Sequence, residues 1–337
     1  MEIGPVNGLV LIGGGEILLE LSNWAKEINL DVLVITSPRQ CEESIRSGTT
    51  LRSLLHEEAI VFLEIDDIES PEVNEYLSGK DNWLFLSLGA AWIFNKGTIE
   101  NTFRDQLLNV HGTRLPTNRG AGGFSWQIMM GNRIGCCLVH KVDSGVDTGP
   151  IVAYEEFLYP NHCRTPMDFE QVYKKKTILF LKSFIENSIR TSVTLQEIFQ
   201  LDYLSTYWPR LNTNLNGWIN WNWSAEEIER YILAFDDPYK GAQTFVNNKK
   251  VRLKGVCLSS SEAAFHSYQS GLVYRVADEW ICVAVTGSSL IVQNVLDENG
   301  KSMLAHIKPG DRFFTPYKYL EDSFARVVYT PLGVRTK

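Results

Sequence analysis

The apolar residues of the first half of the chain fall into short unbroken runs: GLVLIG (8–13), DVLVITS (31–37), AIVFLEI (59–65), WLFLSLG (83–89) and QLLNVH (106–111). Between the first two, Ile17, Leu21, Trp24 and Ile28 recur at helical spacing. Ser53 to Glu58 and Pro71 to Leu77 form shorter helical stretches. Runs that are apolar throughout predict strands buried on both faces. Their alternation with helices predicts a parallel sheet with helices above and below. Further on, residues 122–131 predict a short helix. IGCCLVHKV (134–142) and PIVAYEEF (150–157) predict two strands around the loop DSGVDTG. Thr165-Pro166-Met167-Asp168 carries a cap, a first-turn proline and a first-turn acid, so a helix starts there. Phe169, Val172, Tyr173, Lys176, Phe180 and Phe184 trace its mostly apolar face.

The pattern changes near residue 205. TYWPRLNTNLNGWINWNW is aromatic and turn-rich, and reads as a linker that packs. Ser224-Ala225-Glu226-Glu227 is a capping box opening a helix to about Phe235. Beyond it the chain is nearly all β, with a hairpin at Asn247-Asn248, the runs LVYRV, WICVAV and SLIVQNVL, and a turn at Asn299-Gly300. The expected architecture is α/β: a doubly wound, Rossmann-like parallel sheet over 1–205, then a smaller OB-like β-barrel domain over 206–337.

Composition narrows the classes. The chain has 337 residues and a net charge of −8, which argues against a nucleic-acid partner. The six cysteines form no Cys-x-x-Cys pair, so reduced thiols are expected and a zinc site is not. No apolar run reaches the roughly 20 residues of a membrane span, and the N-terminus lacks signal-peptide features. A cytoplasmic protein is the expectation.

In open parallel sheets, ligands bind beyond the carboxyl ends of the strands. Gly13-Gly14-Gly15 lies at such an end, but Leu18 stands where a dinucleotide fingerprint needs Gly or Ala. The second strand ends in Thr36 rather than an acid. A tight turn, or approach of the helix to a phosphate, remains for these glycines. Asn109 and His111 are two apart on a strand, so their side chains share a face. An amide and an imidazole there can hold an oxyanion and move a proton, though such a pair can equally be structural. Asp143 and Asp147 sit in a glycine-rich loop, where acids form turns. A carboxylate brought to His111 would fix its tautomer and raise its pKa. His140 reads as a packed, satisfied histidine. Ser125 lacks a nucleophile elbow. The aromatics Tyr207, Trp208, Trp218, Trp221 and Trp223 read as domain-interface packing ahead of base stacking. Lys174 and Lys175 read as the solvated side of their helix.

Asn109-x-His111, then Leu115-Pro116, Arg119-Gly120 and Val146-Asp147-Thr148-Gly149, resemble the 10-formyltetrahydrofolate-dependent formyltransferases. INWNWSAEEIERYILAFDDPYKGAQTFV and SSLIVQNVLDENGKSMLAHIKPGDRF are similar to the C-terminal domain of the family's two-domain members. The resemblance implies catalytic Asn109, His111 and Asp147, with a protonated His111 and Asn109 stabilising an oxyanion. It implies a folate site at Leu88, Gly89, Ala90, Trp92, Val142, Asp143, Gly145 and Asp147, 10-formyltetrahydrofolate as co-substrate, and no metal. Few basic residues follow the second strand, and Thr113-Arg114 replaces the usual serine before Leu115. These departures, with the linker, favour the sugar N-formyltransferase branch. The acceptor expected is a nucleotide-linked amino sugar, a 4-amino-4,6-dideoxyhexose used in surface-polysaccharide synthesis. Gly13, Gly14, Thr113, Arg114 and Arg119 are its expected contacts. Methionyl-tRNA formylation is the alternative acceptor chemistry, and a non-catalytic nucleotide-binding module the alternative class. A homodimer stays open.

Overall fold

The computed structural model describes every residue except 47, 122, 260–263 and 337. Seven strands form the main sheet: β1 (Gly8–Gly13), β2 (Asp31–Thr36), β3 (Val61–Glu64), β4 (Trp83–Leu88), β5 (Leu107–His111), β6 (Ile134–Lys141) and β7 (Ile151–Leu158). Their spatial order is β7-β6-β5-β4-β1-β2-β3. From β3 to β5 the pairs are parallel. β6 runs antiparallel to β5, and β7 antiparallel to β6. The expected parallel sheet is therefore broken by one reversed strand, β6, and the loop from β6 to β7 is too short for a crossover helix, so β7 turns back antiparallel to it.

Successive residues of β1 enter opposite cores. Leu9 and Leu11 pack with Leu18, Leu86, Leu181 and Ile185 on one face. Val10 and Ile12 pack with Ile35, Val73, Phe85 and Phe103 on the other. This is why the runs read as continuously apolar: a strand covered on both sides has no wet face. Among the helices are α1 (Glu16–Glu27), α2 (Leu51–Glu57), α3 (Pro71–Tyr76), α4 (Gly123–Met129), α5 (Pro166–Arg190) and α6 (Ala225–Ala234). The expected start of α4 at residue 122 lies outside the described residues. The capping box at Ser224 forms as predicted, and at Thr165 the expected cap is completed into a second box by Asp168. The buried stripe of α5 is Phe169, Tyr173, Thr177, Leu181 and Ile185, one position off the expected face for much of its length, and Lys176 is exposed. Lys174 is not simply solvated: its ammonium lies 2.5 Å from Glu16 of α1.

The C-terminal strands form a six-stranded antiparallel sheet, a half-barrel whose edges approach through an isolated bridge between Leu272 and Arg312. Asn247 and Asn248 both take left-handed backbone, as a two-residue hairpin turn requires. The core of this domain takes in Ile128, Phe169 and Tyr173 from the first, so the two units share one packed interior. Tyr207–Trp208 of the linker pairs in parallel with Arg119–Gly120. A last hairpin, Val327–Thr330 with Gly333–Thr336, returns to the first domain, where the Arg39 amide donates to the Pro331 carbonyl. Among the described residues no helix is long and apolar enough to cross a membrane.

Candidate active site

β5 and β6 place three polar side chains on one face. Asn109 and His111 are two apart on β5, and His140 of β6 stands directly across from Asn109. β6 leaves the sheet at Lys141, opposite Leu108. The loop that follows then curls back, so that Asp147 reaches the same face. Glycines make that path possible: a Cβ at Gly149 would collide with the Lys141 carbonyl, and one at Gly145 with Thr148. Asp143 holds the loop from within, accepting from the Gly145 amide at 3.1 Å and the Thr148 hydroxyl at 2.5 Å. Asp147 itself takes left-handed backbone, φ 53°, a conformation retained where its surroundings over-determine it. Those surroundings are the Gly120 amide, which donates to its Oδ2 at 2.8 Å, and Gln200, whose amide donates to the Asp147 carbonyl at 2.9 Å and the Gly149 carbonyl at 2.7 Å.

The structure brings the amide, imidazole and carboxylate together. His111 Nδ1 lies 3.7 Å from Asp147 Oδ2, too long for a direct hydrogen bond but within strong electrostatic reach. His111 Nε2 lies 2.8 Å from the Asn118 carbonyl oxygen and 2.9 Å from the Thr113 hydroxyl. A carbonyl can only accept, so Nε2 carries the proton. In the neutral ring, Nδ1 is then the bare nitrogen, and it faces Asp147. His140 follows the same logic: Nδ1–H donates to the Lys141 carbonyl at 2.8 Å, which leaves Nε2 to accept from the Asn109 amide at 3.0 Å. His140 is thus packed and satisfied, as expected, but its partner is the candidate catalytic amide, and its Nε2 also lies 3.5 Å from Asp147 Oδ1.

The electrostatics correct one expectation. Asp147 does raise the His111 pKa, but burial lowers it more, and His140 lowers it further. The net shift is below the usual imidazole value, so the resting ring is neutral. Asp147 titrates at about 2: burial pushes it up, and a stronger combination of the His140 contact, the positive charge that His111 carries only at acid pH, and the Gly120 amide holds it down. The carboxylate is ionised at neutral pH.

These groups line a cavity of about 550 Å³. Of the positions expected to hold folate, Gly89, Ala90, Trp92, Val142, Asp143, Gly145 and Asp147 line it, whereas Leu88 does not and is buried in the core. The strand-end segment at 89–92 and the loop at 142–147 form two walls, with open space around the Gly89 Cα and the Trp92 indole pinned to the Asp66 carbonyl. Two walls of backbone and apolar side chain suit a flat heteroaromatic ring.

The expected acceptor contacts fare differently. The Thr113 hydroxyl is buried and bonded to His111 and Asn118, so it orients the imidazole. Arg114 lies off the cavity, paired with Glu156 across the sheet edge at 2.7 Å. Arg119 is buried and committed to Gln200 and Asp202. Gly13 and Gly14 are also off the cavity: a side chain at either would strike Leu88 or Gln40, so these glycines serve close packing of the strand ends. The far wall of the cavity comes instead from Trp208, Arg210, Leu211, Phe235, Tyr239 and Tyr329. Sequence reasoning read Trp208 as interface packing and missed the others, because they come from the linker, the C-terminal domain and the last hairpin. Strand alternation could have found His140, had the antiparallel pairing of its strand with β5 been foreseen. Among the described residues no group of three His, Cys, Asp or Glu is placed to hold a metal ion.

The N-terminal family model, "Formyl transferase", matches residues 9–162, and "Formyl transferase, C-terminal domain" matches 213–307. A methionyl-tRNA formyltransferase of Ruminiclostridium cellulolyticum is 24% identical over 73% of this chain and 77% of its own length. One from Blochmanniella floridana is 30% identical over 60% of this chain and 61% of its own. By fold the chain is similar to a sugar 3N-formyl transferase crystallised with dTDP and 5-N-formyl-THF, with a TM-score of 0.64 and 21% identity over 85% of this chain and 97% of that one. It is also similar to the Helicobacter canadensis N-formyltransferase crystallised with folinic acid and dTDP-3-aminofucose, with a TM-score of 0.63 and 20% identity over 86% and 99%. With both of its domains matched and the Asn-His-Asp geometry in place, the chain belongs to the formyl transferase family of 10-formyltetrahydrofolate-dependent enzymes.

Proposed function

We propose that the protein transfers the formyl group of 10-formyltetrahydrofolate to the amine of a nucleotide-linked amino sugar, with a 4-amino-4,6-dideoxyhexose as the expected acceptor. The observation that carries this reading is the convergence of Asn109, His111 and Asp147 on one cavity whose far wall holds a guanidinium, Arg210. The folate supplies an activated formyl group when bound between the 89–92 and 142–147 walls.

The residues divide the work as follows. The acceptor nitrogen bonds to the formyl carbon, and negative charge develops on the carbonyl oxygen. Asn109 has two amide protons and spends one on His140, so the other is available to that oxyanion. His140 keeps the amide oriented. His111 Nδ1, bare in the resting ring, takes the proton that the amine loses. The Asp147 carboxylate, 3.7 Å away, stabilises the imidazolium that results. The proton then passes to the nitrogen released when the original carbon–nitrogen bond breaks. This assigns His111 as base rather than as a standing cation.

The net charge of −8 supports a small-molecule acceptor over tRNA, whose binding needs a basic surface. The test mixes the protein and 10-formyltetrahydrofolate with dTDP-, UDP- and GDP-linked amino sugars, or with charged initiator tRNA, and follows tetrahydrofolate release. Release with a nucleotide sugar alone supports the proposal. Formylation of the tRNA alone overturns the choice of acceptor, and activity of His111→Ala at the wild-type rate overturns the mechanism.

A further inference from the structure

A second cavity, of about 530 Å³, adjoins the first, and the two share Arg210, Leu211 and Phe235 as walls. Its character differs: Trp126, Trp218, Trp223 and Tyr231 line it, and the single acid among its described lining residues is Glu227. Glu227 is already committed, accepting from both the amide and the hydroxyl of Ser224 in the capping box.

Arg210, on the dividing wall, makes no hydrogen bond or ion pair with another described residue. It lies over the Tyr329 ring, 4.2 Å from the guanidinium carbon to the centroid, and feels the Glu43 carboxylate only through charge, not through contact. Arg39 lies over the same ring at 5.9 Å, but Arg39 has Glu43 and the Thr330 carbonyl as partners. Two guanidiniums thus meet one ring, and only Arg39 is in contact with a carboxylate. Enclosure by protein, and then the charge of Arg39, lower the Arg210 pKa. A bound anion would relieve both. The Tyr329 ring is fixed in turn, its hydroxyl donating to the Leu211 carbonyl at 3.1 Å. A second cation, Arg326, lines the aromatic chamber and lies 6.0 Å from the centroid of the Tyr207 ring.

We propose that Arg210 anchors the pyrophosphate of the acceptor, with the sugar arm reaching Asn109, His111 and Asp147 and the nucleobase held in the chamber of Trp126, Trp218, Trp223 and Tyr231. This rests on the nucleotide-sugar reading above and adds its orientation across two cavities. A guanidinium offers the planar donor fork that a diphosphate accepts bidentately. An aromatic chamber stacks a base whatever its identity. The sugar amine is thereby held in the catalytic cavity by a handle that never touches the reacting atoms.

The full-length protein is titrated with dTDP, UDP and GDP, with inorganic pyrophosphate, and with 5-formyltetrahydrofolate as an independent ligand. Wild type is expected to bind at least one nucleoside diphosphate with quenching of tryptophan fluorescence. Arg210→Ala should weaken that binding by roughly 10- to 100-fold, the range for charged hydrogen bonds, and leave folate binding and Tm unchanged. Arg210→Lys should recover only part of the loss. Trp223→Leu should weaken nucleotide binding and spare pyrophosphate. Wild-type nucleotide affinity in Arg210→Ala overturns the proposal while leaving the transferase assignment intact. Absence of nucleotide binding in wild-type protein that still binds folate overturns both the anchor and the choice of acceptor.

Discussion

Neutral His111 beside ionised Asp147 is the arrangement from which the pH behaviour follows. The folded pKa of His111 lies below its ordinary 6.5, so the unfolded chain takes up a proton there first. Its contribution to stability is therefore full above pH 6.5 and declines as pH falls below it. Asp147 has a folded pKa of about 2 against 3.8. Its contribution, on the order of 2 kcal/mol, is present above the unfolded value and is lost between about pH 4 and 2. An NMR titration of the His111 ring should show a midpoint below 6.5, and Asp147→Asn should lower it further by removing the one carboxylate that raises it. A midpoint above 6.5 would restore the cationic role that the family resemblance implied. Asn109→Ala should reduce kcat by about 10²–10³-fold, the value of one well-aimed oxyanion donor, with little change in KM for folate. His140→Ala should lower kcat less, because the Asn109 amide stays but loses its orientation. The residue roles were legible only in part. Asn109 and His111 were readable because they are local and share a strand face. The protonation state was not, because it depends on desolvation by residues distant in sequence.

At the scale of elements, the loop between β6 and β7 is held in place by a residue far along the chain. Gln200 bonds the Asp147 and Gly149 carbonyls with its amide nitrogen and receives Arg119 on its oxygen. Gln200→Ala should lower kcat several-fold while leaving folate affinity within about twofold, since it frees the carboxylate's backbone without touching the cavity. Steady-state kinetics with both substrates varied checks this. Strands and helices were legible wherever the apolar period was strong, as in β1, β4 and α1. The α5 face was misjudged by about one position, because Val172, Phe180 and Phe184 are only partly buried and Thr177, although polar, is fully buried. The antiparallel edge was not foreseen because apolar runs say nothing about strand direction. The expected work of Arg114 and Arg119 failed for a similar reason: a cation near a motif pairs with whichever acid the fold delivers, here Glu156 and Asp202.

For the whole molecule, the catalytic cavity is closed only by joining distant parts of the chain. Tyr329 on the last hairpin is tied to Leu211 and approached by Asn212 of the linker, while its neighbour Thr330 receives Arg39 of the first domain. Tyr329→Ala should raise KM for the proposed sugar acceptor by several-fold at near-constant kcat, because it loosens the wall that carries Arg210. An equal loss in kcat alone would count against that picture. By contrast, Leu11→Ala, deep in the sheet core, should cost about 2–5 kcal/mol of stability, read as a lower midpoint in urea. The two-domain architecture was visible as a change in periodicity near residue 205. The far wall was not, because no local pattern marks a surface assembled from three segments.

The opposition of His140 and Asn109 fixes more than a contact. Side chains on neighbouring positions of a strand point to opposite sides, so inserting a single residue into β6 ahead of His140 would turn its imidazole toward the reverse side of the sheet and bring Val139 opposite Asn109. Such a chain would also carry the imidazole into the apolar layer that Val139 leaves, losing packing along with its facing, whereas a two-residue insertion would restore the facing at the expense of spacing. The strand's length, counted in parity, is therefore as much a part of the catalyst as the residues it presents.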